Sequence, residues 1–302
     1  MDLEQILGNG NAKRQLERLE RDDPNIRGIL ADIYQKYKNI CGAENSQKDS
    51  CLEKNAKEVI ELFEKKRCIY HAVYRVKKPE SLIKKIVDRK YRGRKQYAHI
   101  EADNYHKIVT DLIGIKFIHR FPDEWAEIND WIYKLFYKGD QFFVDNYEQE
   151  YRNDCEEGFL IEPPVIYHLP EEDLSLYQEA EEKIDHFKFR YEAKENYRSV
   201  HYLINFKGIY VELQVRTLSD ELWSEIEHDM VYKQEISSLR DTLSEASGLL
   251  RIILRSVDEI SMYMKQEIAQ NREAAEKYWN RGRERLQEAA KLVSKKGEDY
   301  AR

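Results

Sequence analysis

Alternation of apolar and polar residues predicts two adjacent strands between residues 197 and 217. In the second strand three apolar side chains alternate with three polar ones, Val211, Leu213 and Val215 with Glu212, Gln214 and Arg216. A period of two is typical of a strand with one buried face, and Lys207-Gly208 suits the turn between the two strands. The polar face carries an acid, an amide and a guanidinium in a row. Both a solvated strand and an anionic, metal-dependent site can show that pattern.

Helical spacing of apolar residues dominates both ends of the chain. The pattern predicts a helical N-terminal extension over residues 1–65, where Ile26, Leu30, Ile33 and Tyr37 recur at helical intervals. It also predicts a helical C-terminal extension over residues 237–302. Residues 66–236 mix strand and helix patterns and are predicted to form one domain. Within that domain, residues 139–192 are acidic and contain several prolines, which indicates an insertion or lid.

The composition is typical of a charged, soluble protein. The chain has 302 residues, of which 41% are hydrophobic and 35% charged, and its formal net charge is -7. This net charge does not favour nonspecific binding to nucleic acid or to a membrane, and no apolar run approaches the roughly 20 residues of a membrane span. The four cysteines lack metal-site spacing and the N-terminus lacks a signal-peptide core, so a cytoplasmic location is expected.

Residues 67–95 form a strongly basic segment within this acidic chain. They contain eleven Lys or Arg residues and only two acidic residues. Arg75 and Lys77 lie two apart at the end of a predicted strand and share a side. Ser81 and Lys85 lie one turn apart on the helix that follows. Together the four residues form a basic cup, a group of cations with one hydroxyl that suits a polyphosphate. A solvated helix face has a similar composition, and the sequence contains no Walker loop.

Two acids are candidates for a metal site. Asp111 stands at the mouth of an apolar strand over residues 113–121, and Gly114 within that strand permits close backbone approach. An Asp at a strand start is often only a cap. Opposite Glu212, it could instead hold Mg²⁺, which takes one or two carboxylates together with substrate phosphates and water. The residues alone leave both interpretations open.

Five short motifs occur in a fixed order within residues 65–235. They are Arg75-x-Lys77-x3-Ser81-x3-Lys85, Asp111-x2-Gly114, Tyr197-Arg198-Ser199-x-His201, Glu212-x-Gln214-x-Arg216-Thr217 and Trp223-x3-Glu227-His228-x3-Tyr232-Lys233. Each is weak alone, but the ordered set resembles the RelA/SpoT-type alarmone synthetase domain. The resemblance implies an α/β (α+β) fold, with a nucleotidyltransferase-like mixed β-sheet flanked by helices.

The resemblance also implies an activity, the Mg²⁺-dependent transfer of the pyrophosphate of ATP to the 3′-hydroxyl of GDP or GTP. It implies that Asp111 and Glu212 are the catalytic residues and the ligands of Mg²⁺. The ATP phosphates would bind to Arg75, Lys77, Ser81 and Lys85. The acceptor nucleotide would bind to Lys116, Lys194, Tyr197, Ser199, His201, Gln214 and Arg216, with Tyr197 stacked on the guanine.

Three departures from the family pattern lie on the acceptor side. Asn196 replaces the usual Gly, Lys116 replaces the usual Arg, and Lys194 lies three rather than four residues before Tyr197. Two alternatives therefore stay open. One is a related toxin that pyrophosphorylates adenosine nucleotides or the 3′ end of tRNA, and the other is a catalytically inactive nucleotide-sensing or interaction domain. Small relatives often assemble as homo-oligomers, so analogy predicts self-association through the terminal helices.

Overall fold

The computed structural model describes residues 3–8, 10–41, 50–137, 158–183, 188–232 and 236–299. Within these residues, seven strands form one mixed sheet. The strands are β1 (His71–Val76), β2 (Ile113–His119), β3 (Phe159–Leu160), β4 (Val165–His168), β5 (Arg190–Ala193), β6 (Ser199–Phe206) and β7 (Ile209–Thr217). The helices are α1 (Leu3–Leu7), α2 (Asn11–Asp22), α3 (Ile26–Cys41), α4 (Cys51–Glu61), α5 (Pro79–Tyr91), α6 (Tyr105–Ile108), α7 (Glu124–Phe136), α8 (Ser175–Glu182), α9 (Leu218–Ile226) and α10 (Ser237–Asp299).

The strand order confirms the predicted fold class. Strands pair in the order β1-β2-β7-β6-β4-β5, and β3 pairs with β6. The β2–β7 and β4–β5 pairs are parallel and the other pairs are antiparallel, so the sheet is mixed. Strands β3, β4 and β5 come from residues 158–193, which largely overlap the segment whose sequence suggested an insertion or lid. Residues 138–157 and 184–187 lie outside the described part of the chain.

Side-chain alternation gives the sheet one buried face and one polar face, because successive residues of a strand point to opposite sides. The apolar residues that alternate along β7 are buried, as the sequence pattern predicts. Two rows of paired residues cross the polar face, Arg75–Gly114–Glu212 from β1, β2 and β7, and Lys116–Gln214–His201 from β2, β7 and β6. The register therefore pairs Gly114 with Glu212 and Lys116 with Gln214, residues that are 98 positions apart in the chain.

The N-terminal helices share the core of the sheet. Ile26, Leu30, Ile33 and Tyr37 of α3 are buried and belong to the same hydrophobic cluster as the strands. Residues up to Arg251 form one compact unit, and a second unit begins at Ile252 within α10.

The second unit carries many apolar side chains in contact with solvent. Ile252, Ile253, Ile260 and Met264 are each more than half exposed. Self-association through the terminal helices stays a prediction. None of the described helices is both long and apolar enough to cross a lipid bilayer.

A buried hydrogen-bond network joins α7 to the sheet and provides a test of the fold. The Tyr202 hydroxyl accepts from Trp125 Nε1 at 3.0 Å and donates to Asn129 Oδ1 at 2.9 Å. Substitution Tyr202→Phe leaves two buried polar groups unpaired, so we expect the free energy of unfolding to fall by about 1–3 kcal/mol in chemical denaturation. The exposed Tyr70 provides the control, and Tyr70→Phe should leave stability unchanged. Equal stability of the two variants would contradict the network.

Candidate active site

Asp111 lies between two lysines of the basic cup. Lys77 Nζ is 2.9 Å from Asp111 Oδ2, and Lys85 Nζ is 2.8 Å from Asp111 Oδ1. Burial would raise the pKa of Asp111, but the charges of Lys85 and Lys77 outweigh burial and hold the pKa below its ordinary value. Asp111 is therefore an ionised carboxylate embedded among cations.

The other members of the basic cup lie beside this ion-pair cluster. Arg75 is exposed on β1, and Ser81 is exposed in the first turn of α5, one turn before Lys85. Burial lowers the pKa of Lys77, and the nearby charges of Lys85 and Arg75 lower it further, whereas Asp111 opposes the change. These effects require the cations to be close to one another. Arg75, Lys77 and Lys85 thus lie close together, and Ser81 lies one turn before Lys85 on α5.

Glu212 is the second acid on the same polar face. His201 Nδ1 lies 3.2 Å from its Oε1, and Gln214 Nε2 donates to its Oε2 at 2.9 Å. Burial would raise the pKa of Glu212, but these two neighbours outweigh burial and leave the pKa below its ordinary value. The charge of Asp111 acts to raise the same pKa, which means that the two carboxylates lie within electrostatic reach of each other. Gly114, the register partner of Glu212, leaves open space at its Cβ position.

A continuous chain of hydrogen bonds joins Arg216 to Glu212. Arg216 Nη2 donates to the Tyr197 hydroxyl at 2.9 Å, and that hydroxyl lies 2.8 Å from His201 Nε2. His201 thus lies between the Tyr197 hydroxyl at Nε2 and Glu212 Oε1 at Nδ1. The Arg216 guanidinium also lies 5.4 Å from the centre of the Tyr197 ring.

The cations predicted to hold the acceptor are already paired with acids of α9. Lys116 Nζ lies 2.7 Å from Glu221 Oε1 and 2.6 Å from Glu225 Oε1. Arg216 Nη1 lies 3.3 Å from Glu221 Oε2. On the predicted acceptor side, the charges of Lys116 and Arg216 are therefore balanced by two glutamates. In the basic cup, by contrast, the cations outnumber Asp111.

Lys194 lies beside Tyr167, an aromatic residue that packs against Tyr197 and His201. Its ammonium pairs with Glu192 at 3.0 Å and lies 5.3 Å from the centre of the Tyr167 ring. Tyr167 packs edge-on against Tyr197 and His201, with ring centroids 5.7 Å and 4.8 Å apart. Tyr167 is therefore a member of the acceptor-side cluster that the sequence did not reveal.

Ser199 lies on the same face of β6 as His201, two residues away, but its side chain is covered. It is 2% exposed, and its hydroxyl donates to the carbonyl of Val215 at 3.4 Å. Sequence reasoning also missed Glu221 and Glu225. These acids are four residues apart on the helix that begins directly after β7, and this spacing is a signal that could have placed them beside the polar strand face. Tyr167 lies in proline-containing chain and gives no such signal.

The two carboxylates fit a divalent cation that shares its coordination with substrate. Each oxygen of Asp111 contacts one lysine ammonium, and a carboxylate oxygen can accept more than one contact, so Asp111 retains capacity to bind a metal. Among the described residues, no group of three or more His, Cys, Asp or Glu side chains is arranged to hold a metal. A pair of carboxylates suits Mg²⁺, which binds readily when substrate phosphates and water supply the remaining ligands.

Solved structures with distant similarity to this chain include two from bacteria. One is small alarmone synthetase 1 from Bacillus subtilis bound to its product pppGpp, with 16% identity and a TM-score of 0.42 over 82% of this chain and 99% of that chain. Another is a GTP pyrophosphokinase family protein from Streptococcus pneumoniae, with 19% identity and a TM-score of 0.43 over 84% of this chain and 95% of that chain. The comparison with curated protein sequences found no match.

A family model described as a region found in RelA / SpoT proteins matches residues 74–237, more than half of the chain. The matched region begins at β1, just before Arg75, and includes both Asp111 and Glu212. All five sequence motifs lie inside it. This protein therefore belongs to the family defined by the region found in RelA and SpoT proteins.

Proposed function

We propose that this protein transfers the pyrophosphate group of ATP to the 3′-hydroxyl of GDP or GTP in a reaction that requires Mg²⁺. The observation that carries the proposal is the clustering of Lys77, Asp111 and Lys85 within electrostatic reach of Glu212. Membership of the RelA/SpoT family supports the same reaction.

The basic cup is the proposed site for the ATP phosphates. Arg75, Lys77 and Lys85 bring three positive charges against the single negative charge of Asp111. Guanidinium and ammonium groups form short, strong hydrogen bonds to phosphate oxygens. A triphosphate would therefore replace a repulsion among crowded cations with several charge-assisted contacts.

The proposed transfer forms one bond and breaks another. The 3′-oxygen of the acceptor bonds to the β-phosphorus of ATP, the bond from that phosphorus to the α,β-bridging oxygen breaks, and AMP leaves with the electron pair. Asp111 and Glu212 would hold Mg²⁺, which would supply positive charge to the transferring group. The pKa of Glu212 is lowered, so Glu212 is a weak base. We expect it to orient the hydroxyl and to receive the proton only as the new bond forms.

The balanced charge of the acceptor side favours a second candidate acceptor, the 3′ end of tRNA. Lys116 and Arg216 are paired with Glu221 and Glu225, so the phosphates of GDP or GTP would have to displace these acids. The terminal ribose of tRNA presents a 3′-hydroxyl without a free terminal phosphate. The tRNA end would therefore need fewer of the existing ion pairs of Lys116 and Arg216 to be broken.

A label-transfer assay tests the proposed function directly. Purified protein, Mg²⁺ and ATP labelled in the γ-phosphate are incubated in parallel with GDP, GTP, ATP or tRNA, and the labelled product is separated. We expect label in the product from GDP or GTP. Transfer to tRNA alone would replace the first candidate with the second. Nucleotide binding without any transfer would indicate an inactive nucleotide-sensing domain.

Removing either acid should abolish transfer while the fold remains. Asp111→Asn and Glu212→Gln keep the size of each side chain but remove the charge proposed to hold Mg²⁺ and to orient the hydroxyl. We expect the turnover rate to fall by at least about 100-fold for each variant, with an unchanged far-ultraviolet circular dichroism spectrum. Glu182→Gln on α8 provides the charge-matched control. A turnover rate near that of the wild type in either site variant would show that the site is wrongly assigned.

Gly114→Val tests the open space between Arg75 and Glu212. The added side chain would project onto the polar face without meeting any atom near its Cβ, and a β-branched residue suits a strand. We therefore expect an unchanged or higher melting temperature together with a loss of transfer of at least about 100-fold, because the reacting groups would be displaced. The control is Ile115→Val on the buried face of the same strand, which should affect stability and not activity.

Ile115→Val should cost about 1 kcal/mol of stability and retain transfer activity. If Gly114→Val transfers pyrophosphate as fast as the wild type, the polar face beside Glu212 is not where the reaction occurs.

A further inference from the structure

A buried carboxylate on α9 is shared by two arginines from distant parts of the chain. Asp220 is 3% exposed. Arg198 Nε lies 3.1 Å and 2.9 Å from its two oxygens, and Arg251 Nη2 donates to Asp220 Oδ1. Burial would raise the pKa of Asp220, but the charges of Arg198 and Arg251 outweigh burial and hold the pKa below its ordinary value. Asp220 therefore stays ionised because it has these two partners.

The charges of this cluster balance only when Arg251 is present. Arg198 Nη1 also pairs with Glu172 at 3.2 Å, so two guanidiniums face two carboxylates. Without Arg251, Arg198 would have to serve both Asp220 and Glu172, and one negative charge would remain poorly compensated in a buried place. An uncompensated buried charge is costly, so Arg198 or the start of α9 would have to move.

Arg251 belongs to α10 and lies beyond the family-matched region, which ends at residue 237. It is 3% exposed, and its guanidinium lies 5.6 Å from the centre of the Trp223 ring. Trp223 Nε1 donates to the carbonyl of Ser247 at 3.1 Å, and the Ser247 hydroxyl donates to Glu227. The first turns of α10 are thus fastened to α9 by several specific contacts, all within the first compact unit.

Asp220 and Arg198 are each adjacent in the chain to a residue of the proposed acceptor side. Asp220 completes a capping box with Thr217 at the start of α9, and the next residue, Glu221, is ion-paired with Lys116 and Arg216. Arg198 directly follows Tyr197 in the chain. A shift of Asp220 or Arg198 would therefore move the side chains proposed to meet the acceptor.

We infer that Arg251 is a positioning residue for the acceptor side of the site, acting through Asp220 and Arg198. The inference rests on the proposed function for the identity of the reaction. The donor side does not depend on this cluster, because Lys77 and Lys85 pair with Asp111 and the carbonyl of Lys77 accepts a hydrogen bond from Tyr37 at 2.8 Å. Loss of Arg251 should therefore affect the acceptor and spare ATP.

Separate Michaelis constants for the acceptor and for ATP provide the test, measured on the full chain. The variant is Arg251→Met, which keeps the length of the side chain but removes its charge. We expect the KM for the acceptor to rise at least about tenfold and the KM for ATP to stay within about twofold. Arg251→Lys should restore part of the loss. Arg255→Met, one turn further along α10 at a side chain that is 38% exposed, should change neither constant.

Three outcomes would overturn the inference. They are equal increases in the two Michaelis constants, no change in either, and an effect of Arg255→Met as large as that of Arg251→Met. If Arg251→Met does not fold, Arg251→Lys decides the question, since it should raise the KM for the acceptor about threefold and leave that for ATP unchanged. An unchanged KM for the acceptor in folded Arg251→Lys would then refute the role.

Failure of the proposed function is distinguishable from failure of this inference. If the wild-type protein transfers pyrophosphate to none of the acceptors, the proposed function fails. Titration with fluorescent GDP and fluorescent ATP analogues then tests the coupling without catalysis. Weaker binding of the GDP analogue alone in Arg251→Met would support the positioning role, and equal weakening of both analogues would refute it.

Discussion

Three carboxylates, the partly buried Asp111 and Glu212 and the buried Asp220, must stay ionised for the polar side of this sheet to keep its arrangement. Desolvation opposes ionisation of each acid, yet each has a pKa below its ordinary value. The compensating groups differ: two ammonium groups at Asp111, an imidazole and an amide at Glu212, and two guanidiniums at Asp220. These partners are the side chains proposed to contact nucleotides, or their direct neighbours. The electrostatic stability of the fold and the geometry of the site therefore rest on the same contacts.

The N-terminal helices contribute to this geometry from behind the basic cup. Tyr37 donates its hydroxyl to the carbonyl of Lys77, and Tyr34 donates to Glu80 at 2.9 Å in the first turn of α5. Both contacts fix the backbone where β1 passes into α5. A loop holding several cations close together would otherwise relieve their repulsion by spreading apart. The helical extension thus supports the residues proposed to bind ATP, although it lies outside the family-matched region.

The sequence could predict the parts of the site that depend on local periodicity. Alternation along β7 identified the polar row of Glu212, Gln214 and Arg216, because a strand that packs on one face must alternate. Spacing of two and of four likewise grouped Arg75 with Lys77 and Ser81 with Lys85. Contacts that depend on register between distant strands have no such local pattern, so the residues alone left the pairing of Asp111 with Glu212 as one of two interpretations, and the family resemblance favoured it.

Other parts of the structure had no local signature. Tyr167 and the short strands β3, β4 and β5 lie in a segment rich in acids and prolines, and they are strands because β6 offers an edge with which β4 can pair. Ser199 lies on the polar face two residues before His201, yet it is buried and its hydroxyl donates to the carbonyl of Val215, a contact that no local pattern predicts. In the sequence, nothing distinguishes Arg251 from the other arginines of the long, charged helix α10. Only its burial beside Asp220 sets it apart from Arg255, one turn away.

The donor and acceptor ends of the site differ in how much reorganisation they require. At the donor end, cations outnumber acids, so an incoming triphosphate lowers the repulsion that is already present. At the acceptor end, Lys116 and Arg216 have partners in Glu221 and Glu225, and an anionic acceptor must exchange one set of ion pairs for another. The free energy of that exchange depends on where α9 sits, because both acids lie on α9. We therefore expect selection of the acceptor to depend on the position of α9, to which the first turns of α10 are bonded, and binding of the donor to depend on the charge of the basic cup.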